Sequence, residues 1–276
     1  MSDALNGSRN GDGGPARSAP AAAAGWVMVP SRRARDRRRT ASFVAGLAVV
    51  AVAVAPPLEA AAGRRLSVHM TQHLLLVLLA APLLARARPG TVLLEALPRA
   101  ARARVGRTLH RPLWHAARRA ATNPVLVLTL SVGGFWAWHL PRLYEAALRN
   151  SAVHILEHAT FLGGAVLFWS IVFDPGPRRR LSLGATCGFV FAAMLTNIWL
   201  AAGLAFASTP LYVPYQGAGA ARALADQQLA GVIMWLPADI VYFVTLGMLF
   251  RRLLRDVEGR VRRREAAAAA GLGAER

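Results

Sequence analysis

Six long apolar runs alternate with short stretches in which arginine recurs, and that alternation organises the chain. The runs fall at roughly 41–61, 66–85, 123–140, 153–173, 181–207 and 229–250, each near the ~20 residues needed to cross a bilayer. A soluble domain would distribute its apolar residues in short periodic stretches; here they are continuous and almost free of charge. Backbone amides in lipid have no water to bond, so such runs are expected to be helices. The predicted fold is all-α: a polytopic membrane helix bundle of about six transmembrane helices. For the first run a signal-peptide core is the alternative, because small residues follow Pro56-Pro57. Its length and the extended tail before it favour a span.

The flanks divide the chain into three parts. Residues 1–40 are rich in Gly, Ala and Ser and end in a basic stretch from Ser31 to Arg39, which predicts a disordered basic N-terminal tail. Residues 41–255 form the transmembrane helical domain, and 256–276 a C-terminal tail. Within the domain, the connection 91–120 mixes Val92, Leu93, Leu94, Leu97, Val105, Leu109, Leu113 and Trp114 with arginines. It reads as one or two helices lying on the anionic cytoplasmic leaflet. His110 and His115 belong to that segment and are assigned surface or headgroup contact.

Arginine also sets the orientation. The N-terminal tail, the connections 86–120 and 174–180, and the chain from Arg251 onward hold 28 of the 33 basic residues, all of them arginine. Arg64, Arg65, Arg142, Arg149 and Arg222 face the other way. The positive-inside rule then makes both termini cytoplasmic. A formal charge of +19 would point to nucleic acid in a soluble fold, but these arginines form no continuous basic face and no nucleic-acid partner is expected. Cys187 is the single cysteine, so disulfides and thiolate metal clusters are excluded, and inside an apolar run it reads as a small buried hydrophobe.

With this topology, five of the seven histidines gather at the non-cytoplasmic face. His69 and His73 open the second span, His139 closes the third, and His154 and His158 open the fourth. The two i,i+4 pairs place their imidazoles on one helix face about 6 Å apart along the axis, a spacing that lets both rings reach one metal ion. Glu157 is a candidate to support the histidines or to ligate beside them; yet each element alone has a plainer reading, His139 as an interfacial residue between Trp138 and Pro141, and Glu157 as an acid favoured by a helix start. Ionisable groups at a membrane core are costly, so five at one face point to a metal or cofactor site. The last span adds Asp226 and Gln227 at its beginning and Met234 two turns deeper. Asp226 suits either a carboxylate that orients a histidine or an N-cap. Met234, and less so Met70, are soft atoms suited to cuprous copper, or packing. Asp239, after Pro237, is the one acid well inside a span. Imidazole-rich, thiolate-free ligation suits copper, zinc or haem iron, and without CxxCH any haem would be noncovalent. The P-loop, the dinucleotide fingerprint and the serine elbow are missing, and the reading is not an enzyme.

Four ordered motifs resemble a known family. They are His69-Met70-Thr71-Gln72-His73-Leu74-Leu75-Leu76; Trp138-His139-Leu140-Pro141 with Tyr144; His154-Ile155-Leu156-Glu157-His158; and Asp226-Gln227-Gln228-Leu229-Ala230-Gly231-Val232-Ile233-Met234-Trp235. Over roughly 41–255 the chain is similar to the multispan CtaG-type cytochrome c oxidase assembly factors of bacteria. The resemblance implies a plasma-membrane protein that matures a haem–copper oxidase, with oxidase subunits and membrane lipid as partners and copper delivered or inserted from the outer face. Family members carry a further span ahead of the one near Ala41; Ala24 to Pro30 is too short to supply it, so a shortened chain or a displaced start is expected. Rival readings are a transporter or permease for copper or a small solute, a noncovalent haem protein, and a structural scaffold.

Overall fold

Proline and asparagine punctuate this chain. In the computed structural model, which describes residues 32–109, 111–174 and 180–274, twelve α-helices and two short non-α helices follow one another with no strand among the described residues. They are α1 (Arg32–Ala53), α2 (Pro56–Ala62), α3 (Leu66–Leu74), a π-helical stretch (Leu75–Ala80), α4 (Ala81–Ala87), α5 (Pro89–Ala96), α6 (Arg99–Leu109) and α7 (Pro112–Ala121). Then come α8 (Pro124–Trp138), α9 (Pro141–Arg149), α10 (Ser151–Val172), α11 (Leu183–Ala205), a 3-10 turn (Val213–Ala218) and α12 (Ala220–Ala274). Helices α2, α5, α7, α8 and α9 begin on a proline, whose missing N–H and fixed φ suit a first turn. Asn123, Asn150 and Ser182 accept from the first free amides of α8, α10 and α11.

Four helices are long and apolar enough to cross a membrane: Leu66–Ala87, Ser151–Val172, Leu183–Ala205 and Ala220–Ala269. Two bent pairs bring the count to six if each is one span. The first predicted span is one of these: α1 stops at Ala53, and the chain turns by 49° into α2. The cause is local, because Ala55 precedes Pro56 and is held extended at φ −64, ψ 140. The third is the other, with α8 meeting α7 at 68°. Helix α1 starts at Arg32, ahead of the predicted start, and the connection 91–120 is three short helices. Of the predicted tails and connections, residues 1–31, His110, Arg178, Arg179 and residues 275–276 lie outside the described residues.

The bundle has two packed layers along its depth. One is built from Leu78, Phe168, Trp169, Phe189, Val190, Met194 and Tyr242. The other, at the end where α3 and α10 begin, contains Leu66, Met70, Tyr144, Tyr212, Tyr215 and Met234. Outside, large apolar side chains such as Leu130, Ile155, Trp199, Leu236, Ile240 and Phe243 are exposed, as helices solvated by lipid require. The π-helical stretch breaks the regular ladder just past His73, and Val77 O there accepts from Trp169 Nε1 of α10 at 2.9 Å. Such stretches recur at functional sites.

Helices α11 and α12 approach most closely at Gly231, where an added Cβ would stand 2.5 Å from Ala205 N and 2.8 Å from Ala201 O. Both are backbone atoms, which cannot swing aside. Replacing Gly231 with Ala should therefore destabilise the bundle by about 1–3 kcal/mol, the usual cost of overpacking. Gly247→Ala, at a site with nothing within 4 Å of the added carbon, should not. Thermal loss of helical circular dichroism in detergent reads the difference; equal midpoints for the two variants would refute the close contact.

Candidate metal centre

The five predicted histidines meet. On α3, His69 Nε2 lies 3.0 Å from His73 Nε2. On α10, the His154 and His158 ring centres are 4.2 Å apart, and the His69 ring stands 5.1 Å from His154 and 6.2 Å from His158. His73 is 5.3 Å from His158 and 6.5 Å from His139. The meeting follows from helix starts: α3 and α10 begin at the same end of the bundle, and each carries histidine in its first and second turns. His139 enters from the opposite direction as the C-cap of α8.

Glu157 sits in their midst, 0% exposed. Its two oxygens are 3.7 Å from His69 Nε2 and from His73 Nε2, too far for hydrogen bonds, and neither has a hydrogen-bond partner. A carboxylate in this state requires a cation or a proton. The outer half of the site is supplied by a residue that the sequence did not single out. Glu59, on α2, stands 2.8 Å from His154 Nδ1 and accepts from Gln72 Nε2 at 2.9 Å. It is the one acid of the first predicted span, but nothing in its neighbours tells that it faces α10.

Hydrogen-bond partners fix the imidazole tautomers. His139 Nδ1 is 2.7 Å from Phe135 O, and a carbonyl only accepts, so Nδ1 carries the proton. Glu59 imposes the same on His154 Nδ1. In both rings Nε2 is left buried without a hydrogen-bond partner, which is the lone-pair arrangement of a metal-binding imidazole. For His69 the partner is Tyr215, whose hydroxyl donates to Ala62 O at 3.0 Å and lies 3.3 Å from Nδ1. Tyr215 also meets the Tyr144 hydroxyl at 3.1 Å, and Tyr212 donates to His139 O at 2.9 Å. Burial raises all three phenols above their ordinary value, so they remain hydroxyls at neutral pH. This tyrosine support comes from α9 and the 3-10 turn, and only the aromatic content of Leu211 to Gln216 hinted at it.

The remaining sequence candidates lie beside the cluster. Asp226 does not cap its own helix, which starts at Ala220; it caps α3, accepting from Leu66 N at 2.6 Å, Ser67 N at 3.3 Å and Ser67 Oγ. It thereby places the turn that carries His69. Gln227 accepts from Leu211 N at 2.7 Å and donates to Thr209 O at 3.4 Å, holding the loop after α11. Met70 and Met234 are buried in the apolar layer. Asp239 accepts from Trp235 Nε1 at 2.8 Å, one turn back across Pro237. Beneath His73 a cavity of about 110 Å³ opens, walled largely by Leu74, Val77, Phe135, Phe161 and Phe168.

The donor set fits a metal ion. His69, His154 and His158 offer ligand atoms within 4.8 Å of one another, and so do His69, His73 and Glu157. Compared with known proteins, the chain matches over residues 23–256 the family described as cytochrome c oxidase caa3 assembly factor (Caa3_CtaG). No curated protein and no solved structure matches it.

Removing the cap on α3 should loosen the site's floor. Asp226→Ala is expected to lower unfolding stability by about 1–2 kcal/mol, the worth of a good N-cap carboxylate. Asp226→Asn, which can still accept, should lose less. Thermal melts of both in detergent test the order, and an unchanged Asp226→Ala would show that the cap is not limiting.

Proposed function

We propose, taking as premise that this chain belongs to the cytochrome c oxidase caa3 assembly factor family, that it carries copper for the oxidase in its histidine cluster. Membership makes it an assembly factor and its apolar helices make it a membrane protein. The proposal adds the ion, the site and the side of the membrane.

One observation carries the reading: Glu157, fully buried and without a hydrogen bond on either oxygen, flanked by imidazole nitrogens of His69 and His73. A cation seated there would receive nitrogen lone pairs from imidazoles whose protons are held elsewhere, and charge compensation from the carboxylate. Imidazole with one carboxylate suits copper, and zinc or iron by the same rule; the family's role in assembling a copper enzyme selects copper. The ion is cargo here, and the protein's own work is to bind it, shield it and release it. The same donor set admits haem as the alternative.

Orientation follows from arginine. With both tails and the connection 91–120 at the cytoplasmic leaflet, the cluster opens to the outside of a bacterial plasma membrane. Exposed Leu93 on α5, with exposed Leu109, Leu113 and Trp114 among the arginines of α6 and α7, supports an interfacial placement. The cavity below His73 is apolar, which favours handling at the outer face over passage through the bilayer. Partners are then subunits of a haem–copper oxidase presented at that face.

Protein purified in detergent from copper-supplied cells should retain copper by elemental analysis. The variant with His69, His73, His139, His154 and His158 all changed to Ala should lose it while still inserting in the membrane. Copper retained equally by both proteins, or by neither, would overturn the assignment.

A further inference from the structure

The cluster is not one coordination shell. Its ligand atoms form two triads that share a single residue: His69 with His154 and His158, and His69 with His73 and Glu157. The two differ in access. In the first triad His154 and His158 are only partly buried, whereas all three members of the second are buried. They differ in depth by degree: one member of the first triad, His158, but two of the second, His73 and Glu157, stand about one turn further into their spans than His69 and His154. They also differ in charge, because the first triad is built of imidazoles alone and the second includes a carboxylate.

Resting on the copper reading above, we propose that these triads are two successive positions for one ion. The outer position, His69–His154–His158, receives it, and the inner position, His69–His73–Glu157, holds it. The ion moves between them by exchanging two ligands while His69 stays bound. Metal–nitrogen bonds to His154 and His158 are replaced by bonds to His73 Nε2 and a Glu157 oxygen; the ion keeps its oxidation state, and the proton that answers Glu157 while the inner position is empty passes to a ring nitrogen that the ion has vacated.

Three features give the path a direction. Glu59, whose side chain is 41% exposed, puts a negative charge at the rim against His154, where it draws cations and strengthens Nε2 as a donor by accepting the Nδ1 proton. Further in, desolvation makes an uncompensated cation costly, and the Glu157 carboxylate offsets that cost only at the inner position. His69 can serve both sides because Tyr215 engages its Nδ1 while its Nε2 lies 3.0 Å from His73 Nε2, the nitrogen with which it would share the ion at the inner position.

The experiment loads full-length protein in detergent with copper under ascorbate, then adds a competing copper chelator and follows copper release. For Glu157→Gln the expected result is copper that still binds but leaves about tenfold or more faster than from wild type. For His158→Gln, loading and release should both slow by a similar factor, because the outer position lies on the way in and out. Should either variant fail to give monodisperse protein, Glu59→Gln at the rim provides the same kinetic test, with slowed loading expected. Parallel loss of occupancy in Glu157→Gln and His158→Gln, with wild type retaining copper, would mean one shell and would overturn the two positions while sparing the copper reading. Wild type that takes up no copper would overturn both.

Discussion

Glu157 lies beside the imidazoles of His69 and His73 inside an apolar bundle, and its charge must be answered there. A buried carboxylate without a hydrogen bond is among the costliest groups a membrane helix can carry. Every nearby feature bears on that condition. The His69 and His73 nitrogens, 3.0 Å from each other, each stand 3.7 Å from one of its oxygens, close enough to share an ion and too distant to satisfy the acid themselves. The acid is therefore not self-sufficient within the described residues, the condition on which the proposed carrier role rests.

Holding donors in that state takes a second ring of residues. Phe135 O, Glu59 and the Tyr215 hydroxyl each engage the outward nitrogen of an imidazole, and Tyr212 ties the His139 carbonyl to the loop after α11. These partners come from α8, α2 and the 3-10 turn, none of which is among the four long spans. These shorter segments cover the end of the bundle and hold the imidazoles carried by the longer helices. Asp226 joins the two systems, since it belongs to α12 and fixes the start of α3.

Backbone geometry serves the same end. The π-helical stretch after His73 departs from regular pairing, and Trp169 meets the carbonyl of Val77. At Gly231 the lack of a side chain lets α12 lie against α11, with Asn197 Nδ2 donating to Met234 O at 3.3 Å. Close helix contact of this kind replaces the hydrophobic drive that lipid cannot supply.

The sequence by itself determined the all-helical membrane fold, because a long run without charge leaves the backbone no other way to bond in lipid. It placed the five histidines at the same end, since alternating spans and arginine-rich connections fix which residues share a level. The i,i+4 spacing even revealed which rings share a helix face. What it could not reveal was lateral: which helix lies beside which, and how far apart. So Glu157 read as a helix-start acid or as a residue supporting the histidines, although it lies within the cluster itself. Glu59 went unnoticed, and Asp226 read as a cap of its own helix or a partner of histidine. Periodicity reports depth and facing within one helix; contacts between helices arise from packing of the whole bundle, and only the tertiary structure decides them.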